Sequence, residues 1–190
     1  MLALFILLAL WAPPFWEAKP PAEWTDEQVQ ELLSDSPWAQ SAETPLEGGG
    51  VTVYLATARP IQEAERELLR RNPRQKPEED ESAEEYREFL RENQGKCIVL
   101  AVHLSGWNAQ ADAQKMEEES VLKVGRKKYK MAGHFPPTPG DPYLRLVYPR
   151  AVSTSDKAFS FELYLPSVPS PYRTVEFRVK DLMYKGSPEM

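Results

Sequence analysis

The segment from Tyr172 to Leu182, YRTVEFRVKDL, constrains the fold more than any other. Val175, Phe177 and Val179 alternate with Thr174, Glu176, Arg178 and Lys180. Successive side chains on a strand point to opposite faces, so this pattern requires one buried face and one wet face. A half-buried strand needs partners, and the sequence supplies them. KAFSFELYL, Lys157 to Leu165, puts Phe159, Phe161, Leu163 and Leu165 on one side, and YLRLVY, Tyr143 to Tyr148, is a third strand. SVLKVGRKKYKMA reads as a hairpin turned at Gly125-Arg126, where glycine in the first turn position suits type II′. HFPPTPGDP reads as a rigid loop, as does SVPSP, Ser167 to Pro171.

The first half mixes periods. In PAEWTDEQVQELLSDSPWAQ, Thr25 is a good N-cap and Gln28 stands three residues later, a reciprocal capping box. Trp24 and Val29 occupy the two places of a hydrophobic staple, Asp26 and Glu27 suit the positive helix end, and Ser36-Pro37 stops the helix. EGGG, Glu47 to Gly50, is a hinge, and VTVYLATA, Val51 to Ala58, is a strand. Pro60 suits the first turn of a helix to about Arg71, with Ile61, Ala64 and Leu68 on one face. Ser82 and Glu85 suggest a second capping box, opening a helix with Tyr86, Phe89 and Leu90 on one face and Gly95 at its end. CIVLAVHL, Cys97 to Leu104, is a continuous apolar run and reads as a strand buried on both faces. A crossover connection is expected to place it in one sheet with the strand at Val51. A short helix capped by Asn108 is expected before the hairpin. The fold class is therefore α+β, a mainly antiparallel sheet with the helices from residues 25, 60 and 82 packed on one face. The expected organisation is 1–18 as a signal peptide or N-terminal hydrophobic anchor, 19–50 as a linker with a capped helix and an SPWA element, and 51–190 as a single α+β domain.

The N-terminus bears on compartment. MLALFILLALW, Met1 to Trp11, is uncharged and apolar, too short to cross a hydrocarbon core of roughly 30 Å and suited to a signal-peptide core. It predicts a periplasmic or secreted protein, attached to a membrane only if these residues are retained. The net charge of −6 argues against a nucleic-acid surface. A single cysteine, Cys97, excludes an internal disulfide framework, and its apolar setting marks it as an inert thiol.

Reactive groups are sparse. The two histidines are His103 in the apolar strand and His134 in the proline-rich loop. There is no HExxH, no aspartate-rich calcium loop, no GxSxG elbow, no P-loop and no GxGxxG. Ser105-Gly106 follows His103 and Leu104 at a strand end where sites often form, but the pair reads as a satisfied strand histidine followed by a turn. No catalytic residue, metal ligand or cofactor is assigned, and the binding residues are left unknown. The carboxylates around Glu78 to Glu85 read as solvated helix faces. Gly125 to Lys130, GRKKYK, concentrates four basic residues at a hairpin tip.

EWTDEQVQELLSDSPWA, the tripeptide Tyr148 to Arg150 (YPR) and the tail FRVKDLMYKG, Phe177 to Gly186, together resemble an uncharacterised family of bacterial exported proteins. Members carry a Trp-Thr/Ser start, an SPWA element and a closing KDMVY-G segment. Leu182 stands where that pattern has Met, while Tyr184 and Gly186 agree. WTDE is also faintly similar to the GWxTD element of exported proteins, with Glu23 in place of its Gly. The resemblance implies export and no defined activity. The expected function is a noncatalytic binding module of the cell envelope, meeting an envelope protein or wall component through a wet face bearing Arg178 and Lys180. The alternative is an envelope-acting hydrolase using scattered carboxylates.

Overall fold

The structure is a computed structural model, and it describes residues 13–43, 50–72, 81–104, 113–139, 141–166 and 168–190. It is an α+β fold with antiparallel sheet. In chain order the helices are α1 (Phe15–Ala18), α2 (Asp26–Ser34), α3 (Arg59–Arg71), α4 (Glu81–Glu92) and α5 (Ala113–Glu119). The strands are β1 (Ala39–Ala42), β2 (Val51–Leu55), β3 (Cys97–His103), β4 (Val121–Val124), β5 (Lys127–Lys130), β6 (Gly133–Phe135), β7 (Tyr143–Pro149), β8 (Ala158–Tyr164), β9 (Tyr172–Arg178), β10 (Met183–Tyr184) and β11 (Ser187–Pro188).

The strands form two main sheets, ordered β1-β2-β3-β7-β6 and β5-β4-β8-β9, with β10-β11 as a small ladder. Two seams join the main sheets. At one, the backbone runs from β5 through Met131 and Ala132 into β6, so one stretch of chain serves both sheets. At the other, Glu43 and Thr174 exchange a pair of backbone hydrogen bonds of 3.1 and 3.2 Å. The result is a flattened, barrel-like ring around an apolar interior. Tyr148 of β7 meets Phe161 of β8 across that interior, with ring centroids 5.0 Å apart, and Phe159 stacks on Phe177.

The pleat sorts the five-stranded sheet into two rows. Register places Leu55, Leu100, Leu146 and His134 side by side on the ring interior, and Tyr54, Ala101, Arg145 and Phe135 on the outer face. Helices cover that outer row. Tyr86 and Phe89 of α4 pack on Phe135, and Ile61 and Ala64 of α3 are buried. Helix α2 lies beside α3, tied to it by Arg71, which meets Asp26 at 2.8 Å and Glu67 at 3.1 Å.

The expected capping box is present. Gln28 N–H donates to Thr25 Oγ1 and Thr25 N–H to Gln28 Oε1, and Trp24 and Val29 are both buried. The SPWA element is a tight turn. Ser36 and Ala39 exchange backbone hydrogen bonds, and the Ser36 hydroxyl donates to Leu32 O. It therefore welds the end of α2 to β1. The hairpin turns at Gly125, whose φ of +58° with no left-handed partner at Arg126 fits the expected type II′ turn.

Several expectations need correction. Strands β2 and β3 are neighbours in one sheet but antiparallel, so the helices between them do not form a crossover to a parallel strand. Residues expected as a linker, 19–50, supply Trp24, Val29, Leu32, Leu33, Trp38, Ala39 and Ala42 to the same core as the rest of the chain. Ser82 lies inside α4 rather than at its cap. His134 and Phe135 form edge strand β6 instead of a loop, because Gly133 and His134 find register against Val147 and Leu146. The last long strand ends at Arg178, and Val179–Asp181 turn as a 3-10 helix. Asn108, the expected cap of α5, lies outside the described residues, as do Met1 to Trp11 and Ser105.

Candidate functional site

Where the two sheets meet at Glu43 and Thr174, their edges come together at one point and then part. The register 43↔174 would continue as 41↔176, but beyond the first pair the two strands share no backbone hydrogen bond. The opening between them is a cleft of about 1320 Å³, lined by Trp16, Asp35, Ser36, Gln40, Ser41, Glu43, Glu176, Arg178 and Asp181 among others. This exceeds the roughly 300–1,000 Å³ of small-molecule pockets.

Alternation decides which backbone groups face the opening. Trp38 O accepts from Leu55 N–H, so Trp38, Gln40 and Ala42 bond to β2 while Ala39, Ser41 and Glu43 turn outward. The Ser36 turn satisfies Ala39 and Thr174 satisfies Glu43, leaving Ser41. On β9, Val179 N–H donates to Lys157 O, so the odd residues pair with β8 and Glu176 and Arg178 present their backbone to the cleft. The charges are one-sided. Arg178 is held by Asp181 at 2.6 Å, while Asp35, Glu43 and Glu176 have no cation within salt-bridge distance among the described residues. Trp16 forms part of the wall, its ring edge-on to Trp38 at 5.7 Å.

The residues singled out from sequence are dispersed. His103 is exposed at the end of β3 with its ring 5.5 Å from Tyr143, and its neighbour Ser105 lies outside the described residues. Beside it, under α3 and α4, sits a buried ionic cluster that sequence reasoning missed. Arg145, 5% exposed, donates twice to Asp141 at 3.0 Å and once to Glu65 at 2.7 Å, and its guanidinium lies 4.6 Å from the Tyr86 ring. Burial disfavours its charge, but Glu65 and the surrounding tyrosines outweigh that and raise its pKa further. The same burial pushes the Tyr54 and Tyr86 hydroxyls up. Every charge in this cluster is consumed by another, so it holds the helix layer to the sheet.

His134 was also missed as half of a pair. Its Nδ1 lies 3.0 Å from Glu117 Oε1, beside an open groove of about 480 Å³ that Cys97 and Lys96 also line. Cys97 Sγ–H is directed at Asn93 O, 3.7 Å away, and burial raises its pKa, so the thiol is not activated. A third cavity, about 390 Å³, is rich in arginine, but Arg150 and Arg59 are engaged there by Met190 O and Glu189. At the hairpin tip Lys128 pairs with Glu162, while Arg126, Lys127 and Lys130 are exposed. No group of three metal-ligating side chains occurs, and no helix is long and apolar enough to cross a membrane, among the described residues. Comparison with protein-family models, with curated proteins and with solved structures finds no match.

Proposed function

We propose that the protein is an exported, noncatalytic binding module of the cell envelope, with the cleft between β1 and β9 as its recognition surface. Support for export comes from the apolar run Met1 to Trp11 and the resemblance to exported proteins. The observation that carries the binding reading is the cleft itself. It is larger than the two cavities lined by Cys97 and by Arg150, and it offers open backbone groups, carboxylates with no cation partner among the described residues, and an aromatic wall. Arg178, expected on the binding face, is at its rim, whereas Lys180 is not among its lining residues.

The full chain, immobilised and washed with envelope extract, is expected to retain an envelope component that the Glu176→Lys, Arg178→Glu double variant does not. Retention of nothing above background by the wild type removes the reading. The four carboxylates on the cleft favour one alternative, hydrolysis of envelope material. Release of soluble fragments from purified envelope by the wild type, abolished in Glu176→Gln, would establish that instead.

A further inference from the structure

The cleft is a place where the ring of strands is interrupted, and the two interrupted edges are in register. Such an edge is a template for an added strand, since its N–H and C=O groups lack partners. We infer that the cleft takes an extended, lysine- or arginine-rich polypeptide segment, which pairs with the backbone of Ser41 or Glu176. This rests on the binding-module reading and specifies its partner.

Three independent features choose this occupant. The first is backbone geometry. Ser41 on one side and Glu176 and Arg178 on the other present donors and acceptors at the alternate positions an extended chain can meet. The second is charge. Among the described residues Asp35, Glu43 and Glu176 are uncompensated and the lining guanidinium, Arg178, is neutralised by Asp181, so a cationic segment is attracted and an acidic one repelled. The third is Trp16, a half-buried indole on the wall, the aromatic side chain that attracts cations most strongly. The open position on β1 is Ser41, and the strand, Ala39 to Ala42, carries none of the lysines or prolines that normally block edge pairing.

The test uses a fluorescein-labelled acetyl-Lys-Thr-Lys-Val-Lys-Thr-amide peptide and the full chain at low salt, read by anisotropy. Binding is expected, with none for the peptide in which glutamate replaces lysine. N-methylation of alternate backbone amides should abolish it, because the added strand then cannot donate. Ser41→Pro removes an outward N–H and no ladder bond, as the ladder to β2 runs through Gln40 and Ala42, and edge strands tolerate proline at such positions. It should weaken binding about fivefold, the worth of one hydrogen bond. Glu176→Lys should weaken it about tenfold, with the remaining affinity less sensitive to salt. Circular dichroism and thermal melts check that both variants fold. Equal binding of the methylated and unmethylated peptides, or of wild type, Ser41→Pro and Glu176→Lys, overturns the inference.

The hairpin tip bearing Arg126, Lys127 and Lys130 makes a second copy of this chain the competing occupant. Sedimentation showing a dimer that Lys127→Glu dissociates also overturns the inference. If the peptide fails while the wild type still retains an envelope component that the Glu176→Lys, Arg178→Glu double variant does not, the partner specified here is wrong and the module reading stands. If neither binds, both fall.

Discussion

Among the described residues two arginines are buried, and they should answer mutation in opposite ways. Arg145 is matched by two carboxylates, so Arg145→Met strands Glu65 and Asp141 without their cation. We expect a loss of about 3–5 kcal/mol in urea unfolding. Arg173, 2% exposed on the inner side of β9, donates through Nη2 to Pro169 O at 2.8 Å, and its Nε and Nη1 have no partner. A buried charge so poorly satisfied contributes little, so Arg173→Met should be neutral or stabilising by about 1–2 kcal/mol in the same assay. Glu67 gives a pH signature. Hydrogen bonding from Arg70, then from Arg71, lowers its pKa from the ordinary 4.5 despite opposing burial. A depressed carboxylate stabilises the fold above its unfolded pKa, and that contribution is lost as pH falls through the folded value. Glu67→Gln should therefore cost about 1 kcal/mol at pH 7. The difference from wild type should shrink as pH drops below 4.5 in acid-dependent melts.

Among elements, α2 depends on its cap. Thr25→Ala removes the side-chain acceptor for Gln28 N–H, and about 1 kcal/mol of stability should go with it by chemical denaturation. Helix α2, the hairpin at Gly125, and strands β3, β7, β8 and β9 were legible because local pattern and tertiary environment agree. Other elements were not. Strand β1, Ala-Gln-Ser-Ala, has no strand-forming side chains and exists because the Ser36 turn and β2 hold it. Strand β6 is three residues in front of a proline run, and it forms only because β7 offers it an edge. The β10–β11 turn uses Lys185 and Gly186 at φ of 48° and 78°, a tight turn the tail sequence does not announce. The cleft was invisible for a more basic reason. Its two walls, residues 39–43 and 174–178, are over a hundred positions apart, and only folding brings them within one gap. Of its residues, Arg178 alone was anticipated.

For the whole molecule, the three segments that carry the resemblance to exported proteins converge. Trp38 of SPWA donates through Nε1 to Glu189 O at 2.9 Å and packs on Tyr184 of the tail, while Arg150 of YPR donates to Met190 O at 2.7 Å. Helix α1 completes this cluster, through Phe15 against Trp24, Trp16 against Trp38, and Glu17 accepting from Lys185 N–H. Removing residues 1–18 should therefore lower the melting temperature by about 5–10 °C, from the lost aromatic burial. Tryptophan emission should shift to the red as Trp24 and Trp38 become wet. N-terminal sequencing of the chain isolated from cells is expected to find a start ahead of Phe15, not after Ala18.

The two seams of the ring differ in kind. One is covalent, since no hydrogen bond has to survive for β5 to stay attached to β6. The other is a single reciprocal pair at Glu43 and Thr174. Thermal breathing is therefore expected to hinge on the first side and to part first at the second, beside Glu176, like the clasp side of a locket.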